Sequence, residues 1–484
     1  LIGPDFFEHQ QMSFIDEEEI FRVNAFDWKT EFSDIMKDGG FDAVIGNPPY
    51  VRQEGLSDFK PYFEKQYSVY NGVADLYVYF IEKGVSLIKS GGFFSYIVAN
   101  KWFRSNYGKP LRQWMKQQHL IEIIDFGDMP VFKQATTYPC ILVIQNKIPA
   151  KTFRAAVIKT LDFPDLQAHV SKHCYDVQQD ALDESGWSLV NRSTQDVLDK
   201  ISKVGIPLGE YVNGKIYRGV LTGLNEAFVI DNATRGKLIA DDPKSAEVIK
   251  PFLAGRDIKR YMPLYSEKYL ILFPRGFTKM KSADTGRQWD WMRKTYPAIA
   301  AHLEPFKEKA EKRYDKGDYW WELRTCDYYA EFEKPKIIVP AIVKSASYSY
   351  DTDGFYSNDK TTIIPTTDKY LLGLVGSKTL DYYMHFISST KQGGYFEYKP
   401  MYISKLPIRT INFNDPADVA RHDQMVSIVD QMLELNKKLA ESKMPQTTEM
   451  LSRQIESTDR QIDQLVYELY DLTEEEIRIV ESES

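Results

Sequence analysis

The sequence predicts an α/β chain: an incomplete open sheet first, then an α+β region, then a terminal pair of helices. Three observations carry this. Short apolar runs alternate with helical spacing as far as residue 150 or so. From about 205 to 410 many short strand-like runs are interrupted by helical pieces. After Asp415 the apolar residues fall on two helical stripes.

In the first region Phe41–Gly46 and residues 93–100, 121–126 and 140–145 read as strands, being apolar and rich in β-branched and aromatic side chains. Residues 75–88 and 111–119 have helical spacing. The last two strands have no helix between them, so an antiparallel edge pair is expected. Residues 151–204 carry mixed signals and read as a connector. In the terminal region Met425, Ile428, Val429, Met432 and Leu439 line one stripe; Leu451, Ile455, Ile462, Leu465 and Leu469 line another. Pro445 between them predicts two antiparallel helices. The expected domains are therefore 1–150, a connector 151–204, 205–414, and a helical pair 415–484.

Composition bounds the function classes. With 484 residues, 27% charged and 43% hydrophobic, the chain is long enough for two or three ordinary globular domains. Its apolar runs are short and interrupted, so no membrane span is expected. Cys140, Cys174 and Cys326 are too scattered for a disulfide framework or a zinc site, and no metal is expected. No leader pattern opens the sequence, which makes the cytoplasm the default compartment. The first residue is Leu1 rather than Met, within running domain sequence, so a fragment or processed chain is expected. The net charge of -8 argues against a nucleic-acid partner, but its distribution does not. Residues 1–50 hold 3 basic and 11 acidic side chains, whereas residues 250–344 hold 20 basic and 13 acidic. A basic, aromatic-rich middle can grip a phosphate backbone locally, and a solvated charged face is the plainer alternative.

The chemistry-bearing segment is Asn47-Pro48-Pro49-Tyr50, directly after the strand Phe41–Gly46. Open α/β sheets place their ligands at this carboxyl end. Taken alone the four residues could be a strand-ending turn. They also suit the modification of an exocyclic amine. The lone pair of an adenine N6 is delocalised into the ring, so the amine is a poor nucleophile. Two acceptors binding its two N–H groups favour a pyramidal nitrogen and stabilise developing charge. The Asn47 side-chain oxygen and the Pro48 carbonyl can be those acceptors. Tyr50 can stack on a base rotated out of the duplex, since the target atom is not reachable inside it.

The segment resembles motif IV of amino methyltransferases, and its surroundings resemble the type IIG restriction-modification family, with a specificity domain similar to that of the TaqI methyltransferase. Asn24-Ala25-Phe26-Asp27-Trp28 is similar to motif III, which implies that Asp27 accepts from the cofactor adenine and Trp28 packs on its ring. Residues 71–80, with Asp75, resemble motif V, which lines the methionine side of the cofactor, and residues 91–100 resemble motif VI. Val131–Thr137 resembles motif VIII, making Phe132 a second aromatic contact to the base. The resemblance implies a partial Rossmann-like methyltransferase sheet followed by an α+β DNA-recognition domain, S-adenosyl-L-methionine as cofactor, and double-stranded DNA as partner. The family's glycine-rich cofactor loop, expected before motif III, is missing from the sequence, so weak or no cofactor binding is expected of this chain alone.

Residues 216–228, 252–260 and 402–408 also resemble the specificity domain. Arg218, Arg256, Lys259 and Arg260 are apt for phosphates, and Lys391-Gln392-Gly393-Gly394-Tyr395 reads as an exposed turn able to enter a groove, with Lys391 at its base. Two other readings stay open. Asn-Pro-Pro-Tyr also occurs in enzymes that methylate a protein glutamine, although the large basic region counts against these. A non-catalytic DNA-recognition subunit suits the absent cofactor loop. No nuclease cluster is recognisable, so any cleaving domain would precede Leu1.

Overall fold

The apolar run Phe41–Gly46 forms strand β1 and pairs with a second strand that is longer than its apolar run alone requires. The computed structural model describes residues 1–3, 6, 25–132, 137–180, 182, 184, 186–282, 287–391 and 393–483. Contacts divide the chain into two units, Leu1–Val197 with Ser389–Gly394, and Leu198–Ser388 with Tyr395–Ser484.

In the first unit β1 is followed by α1 (Tyr77–Ser86), β2 (Ile88–Ala99), α2 (Lys109–Met115), β3 (His119–Asp125), β4 (Pro139–Gln145), β5 (Thr152–Val157) and β6 (Tyr175–Gln178). The sheet order is β1-β2-β4-β3-β5-β6. β1 runs parallel to β2, and β3 parallel to β5; β2–β4, β3–β4 and β5–β6 are antiparallel. The β1–β2 register slips between Phe41 and Ala43, opposite Gly91 and Gly92. There a Cβ on Gly92 would lie 2.9 Å from the Phe41 carbonyl oxygen, so only glycine allows the strands to close up.

β3 and β4 are antiparallel, as their direct succession predicts, but they do not form an edge. β5 and β6, from the segment expected to be a connector, extend the sheet beyond β3 and leave the pair inside it. Helix α1 buries Tyr77, Val78, Ile81 and Val85 against Phe94 and Val98 of β2 and Leu142 and Ile144 of β4. Burying side chains of this size contributes about 1.5–3 kcal/mol each, which holds α1 against the face of the sheet.

The second unit holds two four-stranded sheets. One orders Tyr356–Ser357, Ile249–Leu253, Lys268–Ile271 and Val229–Asp231; the other Ser349–Asp351, Lys336–Pro340, Thr361–Pro365 and Tyr217–Arg218. Gly219 lets the chain cross the second sheet, since a Cβ there would meet the Asn358 carbonyl oxygen at 1.8 Å. Among its helices are α3 (Lys369–Gly376), α4 (Lys378–Ile387), α5 (Pro416–Glu441), α6 (Pro445–Leu469) and α7 (Glu474–Glu483). α5 and α6 are the expected pair, and Met425, Val429, Met432, Ile462 and Leu465 are buried. α7 was not expected, although Thr473 and Glu476 form a reciprocal capping box at its start. Among the described residues no helix is long and apolar enough to cross a membrane, and no His, Cys, Asp and Glu cluster could hold a metal.

Candidate functional site

β1 delivers Asn47–Tyr50 at the carboxyl end of the sheet. Pro48 is buried, while Asn47, Pro49 and Tyr50 are exposed. Prolines 48 and 49 carry no N–H, so the loop's own donors are few. Val51 N–H donates to the Pro49 carbonyl at 3.0 Å. The loop is then pinned to the start of α1: Leu76 N–H donates to the Val51 carbonyl at 3.0 Å, and Gln53 N–H to the Asp75 carboxylate at 3.1 Å. Neither the Asn47 side chain nor the Pro48 carbonyl takes part in a hydrogen bond among the described residues. Two acceptors are therefore left open at a position the surrounding loop holds still.

Two aromatic rings stand beside them. Phe132 lies 6.2 Å from Tyr50, ring centre to ring centre, at 63°. Although Tyr50 is 36% exposed, partial desolvation pushes its hydroxyl up to about 12, so it remains neutral. Beneath Phe132 the chain is organised by Asp125 at the end of β3. Its Oδ1 accepts from Asn100 Nδ2 at 2.7 Å and from Gly127 N–H at 2.9 Å. Burial pushes this carboxyl up, against both hydrogen bonds. Asn100 and Asp125 had no signal of their own in the sequence; both follow apolar strands, where an open sheet collects polar groups. Of motif VIII, residues 133–136 lie outside the described residues.

The cofactor-side residues are not assembled with Asn47. Asp27 caps the short helix Trp28–Glu31, accepting from Lys29 N–H at 3.0 Å and Thr30 Oγ1 at 2.6 Å, bonds that hold it below the usual carboxylate range. Trp28 sits in an aromatic patch with Phe26, Phe32 and Phe41, its ring 6.0 Å from that of Phe41. Phe41 begins β1, whereas Asn47 lies beyond its other end, roughly 17–20 Å along a six-residue strand. Asp75 is near the loop, but its carboxyl already binds Gln53, and burial raises its pKa. Asn24 lies outside the described residues.

The basic candidates of the second unit differ sharply. Arg256 is 77% exposed with only a loose 3.8 Å approach to Asp257, and Lys259 is exposed. Arg218 is exposed but donates to Asp359 at 2.8 Å. Arg260 is mostly buried, with two donations to Asp459 at 2.7 and 2.6 Å and one to the Gly376 carbonyl. That arrangement anchors α6 and keeps the guanidinium, its Nε buried, turned to protein acceptors rather than to a phosphate, a consequence of backbone and carboxylate acceptors the sequence could not reveal. Lys391 is half-buried, in the segment that groups with the first unit.

The comparisons follow this division. Residues 2–132 match the Eco57I restriction-modification methylase family, and residues 250–408 the TaqI-like C-terminal specificity domain. The type II restriction enzyme and methyltransferase RM.Eco57I of Escherichia coli is 24% identical over 95% of this chain, which spans 48% of that relative's length. The type II methyltransferase M.BstVI of Geobacillus stearothermophilus is 24% identical over 98% of the chain and 80% of its own length. In fold, 95% of the chain superposes on 58% of the DNA-bound type IIL restriction-modification enzyme MmeI, with a TM-score of 0.61 at 10% identity. The first unit accordingly has an α/β methyltransferase fold. The chain is thus similar at its start to the Eco57I restriction-modification methylases, between residues 250 and 408 to the TaqI-like specificity domain, and over most of its length to type II methyltransferases.

Proposed function

We propose that this chain carries the base-receiving and DNA-reading parts of a site-specific DNA methyltransferase acting on adenine N6. The observation that carries the reading is the pair of open acceptors, Asn47 Oδ1 and the Pro48 carbonyl, on a fixed loop beside Tyr50 and Phe132. An amine seated there would donate one N–H to each acceptor. Its lone pair, drawn out of conjugation, would then be free on the opposite face, and positive charge developing on nitrogen would be stabilised by oxygens already in place. Tyr50 and Phe132 would hold the rotated base between apolar faces, offsetting part of the few kcal/mol that unstacking costs.

S-adenosyl-L-methionine is the methyl donor in this reading. The described residues fit the base better than the donor, because Asp27 caps a helix and Trp28 packs at the far end of β1. Duplex DNA is the partner, with Arg256 and Lys259 as the exposed phosphate contacts and Arg218 available if its bond to Asp359 opens. Cleavage by the whole protein, as the E. coli relative's name includes, would rest on residues outside this chain.

Incubating the complete protein with plasmid DNA and methyl-labelled donor, then resolving the nucleosides, tests this. Label in N6-methyladenine is expected. Label in a cytosine derivative overturns the base assignment, and label in protein glutamine overturns DNA as substrate. A second reading, a DNA-recognition chain without catalysis, is favoured by the unassembled Asp27 and Trp28; DNA binding without any label would establish it.

A further inference from the structure

The loop that carries Phe132 has a tether that the proposed chemistry does not explain. Between β3 and β4 the chain leaves the sheet. Phe126 is buried, Met129 N–H returns to the Phe126 carbonyl and Val131 N–H to the Met129 carbonyl, both local bonds. Among the described residues one long-range hydrogen-bonded contact reaches 128–132. Asp128 Oδ2 accepts from Gly393 N–H at 2.9 Å and from Gly394 N–H at 3.1 Å, 265 and 266 residues away.

The two glycines are built for this. Both have left-handed backbones, φ +83° and +74°, which turn successive N–H groups toward one point and make a small anion-holding concavity. A Cβ on Gly394 would meet nothing within 4 Å, so the backbone angle, not lack of space, is what requires glycine. An ionised carboxylate with two N–H donors is a stronger tie than either bond between neutral groups. The start of the loop is thus held from two sides. Asp125 grips Gly127 from inside the sheet, and the Gly393–Gly394 turn grips Asp128 from outside, four residues before Phe132.

We propose that Asp128 is a positioning residue for the target base: the Gly393–Gly394 turn, by binding its carboxylate, fixes the loop that sets Phe132 against Tyr50. This rests on the methyltransferase reading above and adds a device that makes base capture depend on a turn far along the chain. Asp128 touches no reacting atom; it acts through Phe132.

The test uses the adenine found methylated by the complete protein, placed either opposite thymine or opposite an abasic site. A base without a partner rotates out more easily, so a protein that captures it binds the second duplex more tightly. Wild type should prefer the abasic duplex by about tenfold, and Phe132→Ala should bring that preference close to one. Asp128→Ala should bring it close to one while affinity for the matched duplex and the thermal unfolding midpoint stay as in wild type. Asp128→Asn, which keeps an oxygen acceptor, should retain most of it. Amide hydrogen exchange at Gly393 and Gly394 should speed up in Asp128→Ala and much less in Asp128→Asn. An Asp128→Ala protein with the wild-type preference overturns the proposal, as does an equal loss of affinity for both duplexes. A wild type without any preference overturns base capture itself, and this proposal with it.

Discussion

β1 and the strand Lys336–Pro340 are both short apolar runs, yet they are used in opposite ways. β1 is the end strand of the described sheet, with Ile45 84% exposed, and it runs into a loop whose Asn47 and Pro48 acceptors are unengaged. Lys336–Pro340 is buried at every position, its lysine included, and that ammonium pairs with the equally buried Asp351. The second unit treats other polar groups the same way. Arg313 donates to the carbonyls of Thr222, Trp320 and Glu322 and lies over the Phe228 ring, 4.5 Å from its centre. The buried Glu322 carboxylate accepts from the N–H groups of Gly276, Thr278 and Asp318. A polar group whose neighbours satisfy it is holding the fold; one left open on a rigid loop is available to a ligand.

Removing an open acceptor gives the largest expected effect. Asn47→Ala in the complete protein should lower the methylation rate by roughly a hundredfold to a thousandfold, about 3–4 kcal/mol, because one oxygen for the developing ammonium is gone. DNA affinity and the unfolding midpoint should be unchanged. Single-turnover label incorporation at saturating DNA measures this, and near-normal turnover would remove Asn47 from the chemistry.

Removing a satisfied group should do the reverse. Arg313→Met removes the donor to the Thr222 and Trp320 carbonyls and one of two donors to the Glu322 carbonyl, and is expected to cost roughly 3 kcal/mol of the second unit's stability. Burial already pushes this guanidinium down to about 10, a sign of how little water reaches it. A urea midpoint that did not move would mean that the site rehydrates freely. The methylation chemistry in the other unit should lose nothing beyond the unfolded fraction.

These contrasts also mark what the residues could disclose by themselves. β1, Asn47–Tyr50 and the α5–α6 pair were legible because their signals are local: an apolar run, an Asn-Pro turn and a helical stripe ended by Pro445. β5 and β6 were not, since Thr152–Val157 and Tyr175–Gln178 are short and broken by Arg154, Asp176 and Gln178, and only the pairing of β5 with β3 and of β6 with β5 makes them strands. The Asp128 tether was invisible because its partners are 265 and 266 residues away. Counting charge from 250 to 344 treated Arg256, Arg260, Arg313 and Lys336 alike, whereas burial divides them.

A buried carboxyl in the second unit gives an effect of at most similar size, dependent on pH, whose sign is fixed. Burial pushes Asp463 from 3.8 to about 6, helped by Asp459 and opposed by the Lys378 N–H and the charges of Arg260 and Lys378. The folded state therefore holds this proton more tightly than the unfolded chain does. Its contribution is fully present below the unfolded value and is lost as pH rises through about 6. Up to about 3 kcal/mol should disappear between pH 4 and 7, and Asp463→Asn, which stays neutral, should remove that part of the slope. Urea titrations at several pH values read it; parallel profiles for the two proteins would show that Asp463 is ionised in both states.

The smallest effect distinguishes an exposed cation from an anchored one. Each phosphate neutralised contributes about 0.9 to the log–log slope of binding against salt. If Arg256 and Lys259 meet phosphates, Arg256→Glu with Lys259→Glu should flatten the slope by roughly 2 and weaken binding to all sequences alike. Arg260→Met should behave differently. Its guanidinium binds Asp459 and the Gly376 carbonyl, so its loss should lower the urea midpoint and leave the slope as it is. Fluorescence titrations of one duplex from 50 to 200 mM salt, the range over which phosphate contacts change affinity steeply, separate the two. A slope that responds to Arg260→Met would mean that this arginine leaves Asp459 for DNA. A change in which sequence is preferred by the double reversal would mean that Arg256 or Lys259 reads bases. If neither protein changes slope or preference, the phosphate contacts lie elsewhere on the second unit, and the excess of basic residues from 250 to 344 is a solvated face.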